Sequence, residues 1–302
     1  MNHKIICSII QVLLGLTFLI SGVLKSLDVY GTMLKLDEYA HQLNFPLLEI
    51  LDEPIAVILC AVETTIGLWL LSFISRTIDV TILIVLTLFF TILNLFFILN
   101  PDKMITDCGC FGELLPMSVT SSFIKNILIL ILAGYLLWHN RHRKNIKCKR
   151  VNPFVLFLLC ISLLIPMYSI MNTSIYNPTG YNKGTDLIKK MDFIILDENS
   201  EDVTVQLLNS SEEVYIYIQK NDDSFYQSAI KRYCKEHNST YFTLSNKDHP
   251  ESEYNSPYYY TDENLLKSLL RCKGNGVVYI RNGIIRDIWP ERFSWWKLDI
   301  EN

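Results

Sequence analysis

The sequence predicts a helical membrane bundle followed by a soluble α/β domain. Three observations carry that prediction. Half of the 302 residues are hydrophobic, which exceeds the usual soluble share. Before Met171 these residues gather into runs of about 20, the length that crosses a hydrocarbon core of about 30 Å as a helix. Beyond Met171 the chain turns rich in Tyr, Asp and Glu, and short strand-like and helix-like patterns replace the long runs.

The apolar runs cover residues 5–24, 54–74, 78–99, 119–138 and 151–170. Backbone groups in lipid must bond within their own segment, so helices are the default. A cleaved signal peptide is excluded for the first run, because Lys25 and Asp28 follow it directly and no small-x-small site is evident. Segment 139–150 holds six of the 12 bases that precede Met171, which predicts a cytoplasmic loop. Counting spans from it puts the N-terminus inside and the loops 25–53 and 100–118 outside. The whole region after run five is then outside as well. The outside loops carry nine acids between Asp28 and Glu113, in keeping with that orientation. Between runs one and two, Leu34, Leu36, Tyr39, Leu43 and Phe45 alternate with polar groups, which predicts an amphipathic segment on the outer surface or capping the bundle. The division expected is a bundle at 1–140, a basic loop and fifth span at 141–171, and an external domain at 172–302.

After a linker at 172–183, strands are expected at 214–218, 240–244, 276–280 and 284–289. Helices are expected at 224–237 and 262–272, and Asn282-Gly283 signals a hairpin turn. The order β-α-β-α-β-β is that of a thioredoxin-like domain. From Met171 onward 15 Lys and Arg face 20 Asp and Glu with no basic patch, which argues against nucleic acid as a partner.

One short stretch stands out between runs three and four: Asp107-Cys108-Gly109-Cys110-Phe111-Gly112. Two cysteines one residue apart on the oxidising side of a membrane can pair, and the small ring they close makes an exchange-prone bond. Asp107 does not activate a thiol, so activation has to come from elsewhere. Three chemistries are open: a redox-active pair, a purely structural disulfide or turn, and soft-metal capture. Metal capture would want further ligands beyond Met104 and Met117, and no metal is predicted. Glu63 lies near the middle of run two, where a carboxylate is costly and faces the bundle interior. It reads either as a proton or quinone head-group contact, or as a neutral side chain bonded to Thr64, Asn94 or another helix. Lys25 and Asp28 read as snorkelling or ion-paired groups at the surface, and Asn94 as a helix–helix hydrogen bond.

The external domain departs from thioredoxin at the redox position. After strand 214–218 the chain reads Gln219-Lys-Asn-Asp-Asp-Ser-Phe225, with no C-x-x-C. The residues before the third strand are Lys273-Gly-Asn-Gly276, with no proline. Cys234 and Cys272 read as buried free thiols, with a mutual disulfide as the alternative. Trp289, Phe293, Trp295 and Trp296 read as core closure, with a docking patch or interface anchor as the alternative.

The first four spans resemble the MauE/DoxX family of small membrane proteins. The resemblance rests on Gly15-x-x-Phe18-x-x-Ser21-Gly22-x-x-Lys25-x-x-Asp28, on Glu63 with Gly67 and Leu70, and on Asp107–Gly112. The whole architecture is similar to membrane proteins of Bacteroidota. The MauE branch implies periplasmic maturation, disulfides included. The DoxD branch implies quinone-coupled chemistry. The expected function is therefore thiol/disulfide handling, or maturation of exported proteins, at the outer face of a bacterial inner membrane. Cys108, Cys110 and Glu63 would be the working residues, quinone the implied cofactor, and membrane lipid and an exported thiol protein the partners. The alternative is a non-enzymatic assembly or sensing scaffold in which the cysteines fix a turn.

Overall fold

A computed structural model describes residues 3–72, 77–100, 105, 107–142, 153–209, 213–220, 227–246 and 257–290. The link at Arg76, most of the basic loop, Met104, residues 221–226 and the group Phe293, Trp295 and Trp296 lie outside the described residues. The chain divides into two compact units, 1–169 and 170–302.

The first unit is all helix. α1 (His3–Leu27) stops at Asp28, whose carboxylate caps α2 (Val29–Leu43) by accepting from the Gly31 N–H at 3.2 Å. Asn44, in the left-handed conformation, closes α2. α3 (Pro46–Ile50) is a single short turn of helix. α4 (Asp52–Leu71), α5 (Thr77–Leu99), α6 (Val119–His142) and α7 (Pro153–Met171) complete the set. Four helices are long and apolar enough to cross a membrane, over Ile5–Leu27, Asp52–Leu71, Asp79–Leu99 and Val119–His139. The fifth run is helical but holds Pro166, and its described apolar stretch, Cys160–Met171, is shorter.

Of the two placements expected for the amphipathic segment, α2 takes the second. Val29, Met33, Leu36, Tyr39 and Ala40 are buried on one face, and α2 lies against α4. Within the bundle α1 packs along α4, and α5 along α6. Leu14, Phe18, Ile66, Leu70, Leu83 and Ala133 form its core. Lipid offers no hydrophobic drive between helices, so close approach depends on small residues. A side chain at Gly22 would overlap the backbone of Thr64, and one at Gly67 that of Leu19. These two glycines set the α1–α4 distance.

The second unit is a mixed sheet of five strands in the order β3-β2-β1-β4-β5. α8 (Thr204–Asn209) precedes β1 (Glu213–Gln219). α9 (Gln227–Glu236), β2 (Thr240–Ser245), β3 (Tyr258–Tyr260), α10 (Glu263–Leu269), β4 (Gly276–Arg281) and β5 (Ile284–Pro290) follow. β1, β2 and β3 run parallel, while β4 and β5 join antiparallel. This is a thioredoxin-like arrangement. Alternation along β1 sends Val214, Ile216 and Ile218 toward α10, and Tyr215 and Tyr217 toward Ile230 and Cys234 of α9. Each fully buried aliphatic side chain there contributes about 1.5–3 kcal/mol. Asn282 (φ 52°) and Gly283 (φ 72°) make the expected hairpin turn. The sequence reading missed α8 and β3. β3 is only three residues long and is held by β2 and by a bridge from Tyr260 to Leu196, so tertiary pairing rather than local pattern creates it.

Candidate functional site

The loop 107–118 is fixed to the bundle by named bonds. Asp107 and Ser118 form an antiparallel bridge, and the Cys108 N–H donates to the Met117 carbonyl at 3.1 Å. Gly109 (φ 58°) and Gly112 (φ 66°) take left-handed turns that favour glycine. Asp107 works structurally: Oδ1 accepts from the Gly109 N–H at 3.0 Å, and Oδ2 meets Lys35 Nζ at 2.9 Å. Tyr39 donates its hydroxyl to the Cys108 carbonyl at 2.7 Å and stacks on Phe97.

Cys108 and Cys110 are joined as a disulfide. Cys108 is buried, at 4% exposure, while Cys110 is half-buried. Ser122 Oγ, in the first turn of α6, lies 2.7 Å from Cys108 Sγ, and the Cys110 N–H points at the same sulfur at 3.2 Å. The polar groups beside the Cys108 sulfur are thus a hydroxyl from the first turn of α6 and a backbone N–H of the loop itself.

Glu63 is beside this loop. Lys25 Nζ donates to Glu63 Oε1 at 2.6 Å, with both side chains almost fully buried. Ser21 Oγ lies 2.6 Å from Glu63 Oε2 and 2.5 Å from the Cys110 carbonyl. Ser21 and Lys25 stand four residues apart on α1, one turn, so a single helix face supplies both partners. Lys25 therefore does not snorkel; it runs inward to Glu63, which the close approach of α1 and α4 at Gly22 and Gly67 brings within reach. Asp28 caps α2. Thr64 and Asn94 do not hold Glu63. The Thr64 hydroxyl bonds the Cys60 carbonyl, and the buried Asn94 Nδ2 has no partner among the described residues.

Charge around the loop is arranged in layers. Burial acts to lower the Lys35 pKa, but hydrogen bonds and charge from Glu38 and Asp107 prevail, so its pKa is raised and it stays cationic. Burial, then the charges of Asp107 and Glu38, push the Tyr39 hydroxyl upward, keeping it a neutral donor. The structure thus brings Cys108, Cys110 and Glu63 around one cavity of about 60 Å³, which Lys25, Lys125 and Asn126 also line. The sequence reading passed over Lys35, Ser122, Lys125 and Asn126. A lysine seven residues into a span was the visible signal for the last two.

The sheet domain offers no comparable pair. Cys234 and Cys272 are buried and not in a disulfide, and they lie in the cores on opposite faces of the sheet, so they cannot meet. Burial pushes the Cys234 thiol up to about 12. Where a C-x-x-C would follow β1, Lys220 donates to the carbonyls of Leu270 at 2.6 Å and Cys272 at 3.0 Å. Its backbone N–H donates to Asn275 Oδ1 at 2.8 Å. Burial lowers the Lys220 pKa to about 8. Trp289 packs inward against Tyr215 and Tyr279.

The family model described as methylamine utilisation protein MauE matches residues 3–139, the helical bundle. Protein TlpB of Flavobacterium psychrophilum is 23% identical over 206 residues, covering 67% of this chain and 53% of that protein. The chain thus spans about half the length of that curated relative. No solved structure matches. Residues 3–139 are thus similar to MauE, and a thioredoxin-like α/β domain follows them.

Proposed function

We propose that this multi-pass protein carries out thiol–disulfide exchange on exported proteins at the outer face of a bacterial inner membrane, linked to quinone. One observation carries the reading: a disulfide, Cys108–Cys110, is held by backbone bonds against a buried Lys25–Glu63 pair. The MauE match and the basic segment 139–150, read as cytoplasmic, support it.

In this reading a partner thiolate attacks Cys110 Sγ, the more exposed sulfur. The Cys108–Cys110 bond breaks and Cys108 leaves with the electron pair. The new thiolate meets the Ser122 hydroxyl, the Cys110 N–H and the start of α6, all of which favour negative charge. A second partner thiolate then attacks the partner's own sulfur in the mixed disulfide and frees Cys110. The partner dithiol ends oxidised, and the pair holds two electrons and two protons. Glu63, which lines the same cavity as both cysteines, is the carboxylate through which the thiols exchange protons. A quinone, were one bound at the bundle, would supply the two-electron sink needed to restore the disulfide. The thioredoxin-like domain recognises the partner without dithiol chemistry of its own.

Thiol trapping on intact spheroplasts with a membrane-impermeant maleimide tests this. The pair should label after the quinone pool is reduced and be protected when it is oxidised. A pair that never changes state sinks the exchange reading. It would favour the scaffold alternative, which the dense bonding of loop 107–118 also suits. An alkaline phosphatase fusion after Lys190 should be active; an inactive fusion overturns the orientation.

A further inference from the structure

Two donors line the cavity beside the disulfide and take no part in the exchange chemistry. Asn126 is 4% exposed, and its Nδ2 has no hydrogen-bond partner among the described residues. Lys125, next to it in sequence and half-buried, has no carboxylate within ion-pair distance among the described residues. Its ammonium lies 4.7 Å from the centre of the Phe111 ring, whose face gives a weak electrostatic contact in place of a counter-charge.

Charge in the lining is one-sided. Lys25, Lys35 and Lys125 line the cavity, and among the described residues that line it the only carboxylate is Glu63. Lys25 takes Glu63 at 2.6 Å. Lys35 is matched by Glu38 and Asp107, neither of which lines the cavity. Lys125 is left over. A buried amide donor and a surplus cation both call for an acceptor, because the water taken from them has not been replaced. Water meets the Asn126 amide but brings no charge to balance Lys125. A single anion answers both. The size of the cavity limits which anion fits. A volume of about 60 Å³ exceeds the roughly 10–15 Å³ that one water needs, so a halide-sized ion fits while an organic acid or a lipid head group does not. One surplus lysine matches one negative charge, since a dianion would bury a charge of its own unpaired. Residues 108–111 of the loop form part of the lining, which sets the cavity at the end of the bundle where α6 begins, within reach of water. We infer that Lys125 and Asn126 form a binding site for a small monovalent inorganic anion of chloride size. The inference goes beyond the exchange reading and does not rest on it, because neither donor acts in that chemistry.

The test uses the full chain in lipid nanodiscs, with chloride replacing gluconate at constant ionic strength as the probe. Binding is read from broadening of the chloride NMR line. Broadening should saturate and be reversed by bromide. Lys125→Met and Asn126→Leu should each weaken binding about tenfold. Lys125→Arg should retain most of it, and Lys189→Met, at an exposed lysine of the sheet unit, should change nothing. Broadening that never saturates, or that is equal in wild type, Lys125→Met and Asn126→Leu, overturns the site. Should the variants misfold, wild-type crystals soaked in bromide decide. An anomalous peak within hydrogen-bond reach of Lys125 Nζ and Asn126 Nδ2 supports the site, and its absence there overturns it. If chloride binds through these donors while the cysteine pair never changes state, the exchange reading fails and this one stands.

Discussion

The two units of this chain each contain a position that could hold a cysteine pair, and they have been filled in opposite ways. In the sheet domain, the turn after β1 is where a thioredoxin-like fold presents its dithiol. Lys220 occupies it, tied to the 270–275 loop by three hydrogen bonds, and the two cysteines are sealed on opposite faces of the sheet. In the bundle, the 107–112 loop has a disulfide, the Ser122 hydroxyl of α6 beside one of its sulfurs, and a buried ion pair one hydroxyl from the Cys110 carbonyl. A fold's usual site is thus no guide to where chemistry resides. The surrounding charges and donors are, because they determine whether a thiolate can exist.

The sharpest break between the two regions is expected from cysteine replacement. Cys110→Ser should abolish mixed-disulfide formation with a partner, followed by gel shift after alkylation. Cys234→Ala and Cys272→Ala should leave it intact. Loss of exchange in the latter two would move the chemistry into the sheet domain.

Next in size is the ion pair. Glu63→Ala strands a buried Lys25 and should destabilise the bundle by about 3–5 kcal/mol, measured by unfolding in detergent. Adding Lys25→Met to it should recover much of that loss. If the double variant is no better than the single, the pair is not the origin of the cost.

A smaller effect is expected at the helix contact. Gly67→Ala forces a methyl into the Leu19 backbone and should cost about 1–3 kcal/mol. It should also slow exchange, since Ser21 and Lys25 lose their register with Glu63. Gly184→Ala in the sheet unit meets no neighbour and is strained only by its φ of 89°. It should leave exchange untouched.

The smallest effect is a pH dependence confined to the sheet domain. Lys220 is lowered to about 8 when folded, against 10.5 ordinarily, so between those values the unfolded chain binds more protons. Stability from this group therefore rises with pH through the window. Cys234, raised from 9.0 to about 12, acts the opposite way above about 9. Unfolding midpoints followed by tyrosine and tryptophan signals should gain on Lys220→Met as pH climbs from about 8 to about 9. Parallel curves would mean that Lys220 is not buried as described.

Much of the fold was legible in the chain itself. The apolar runs 5–24, 54–74, 78–99 and 119–138 became membrane-length helices, because length and composition alone decide which segments can satisfy their backbone in lipid. Val214–Ile218 and Asn282-Gly283 declared a strand and a turn through β-branched residues and positive φ, both local properties. The cysteine spacing identified the loop, and the depth of Glu63 in its run marked that residue. What the sequence could not set was who meets whom. Lys25 is 38 residues from Glu63, Ser21 is 89 from Cys110, and Cys108 is 14 from Ser122. Those meetings depend on α1 and α4 closing at Gly22 and Gly67, and on α2 folding back over the bundle. Local chemistry fixed the helices, the turn and the loop. Only their packing decided that the loop meets the Ser122 hydroxyl and, through Ser21, a buried ion pair, because helix contact faces are selected by three-dimensional fit rather than by position in the chain.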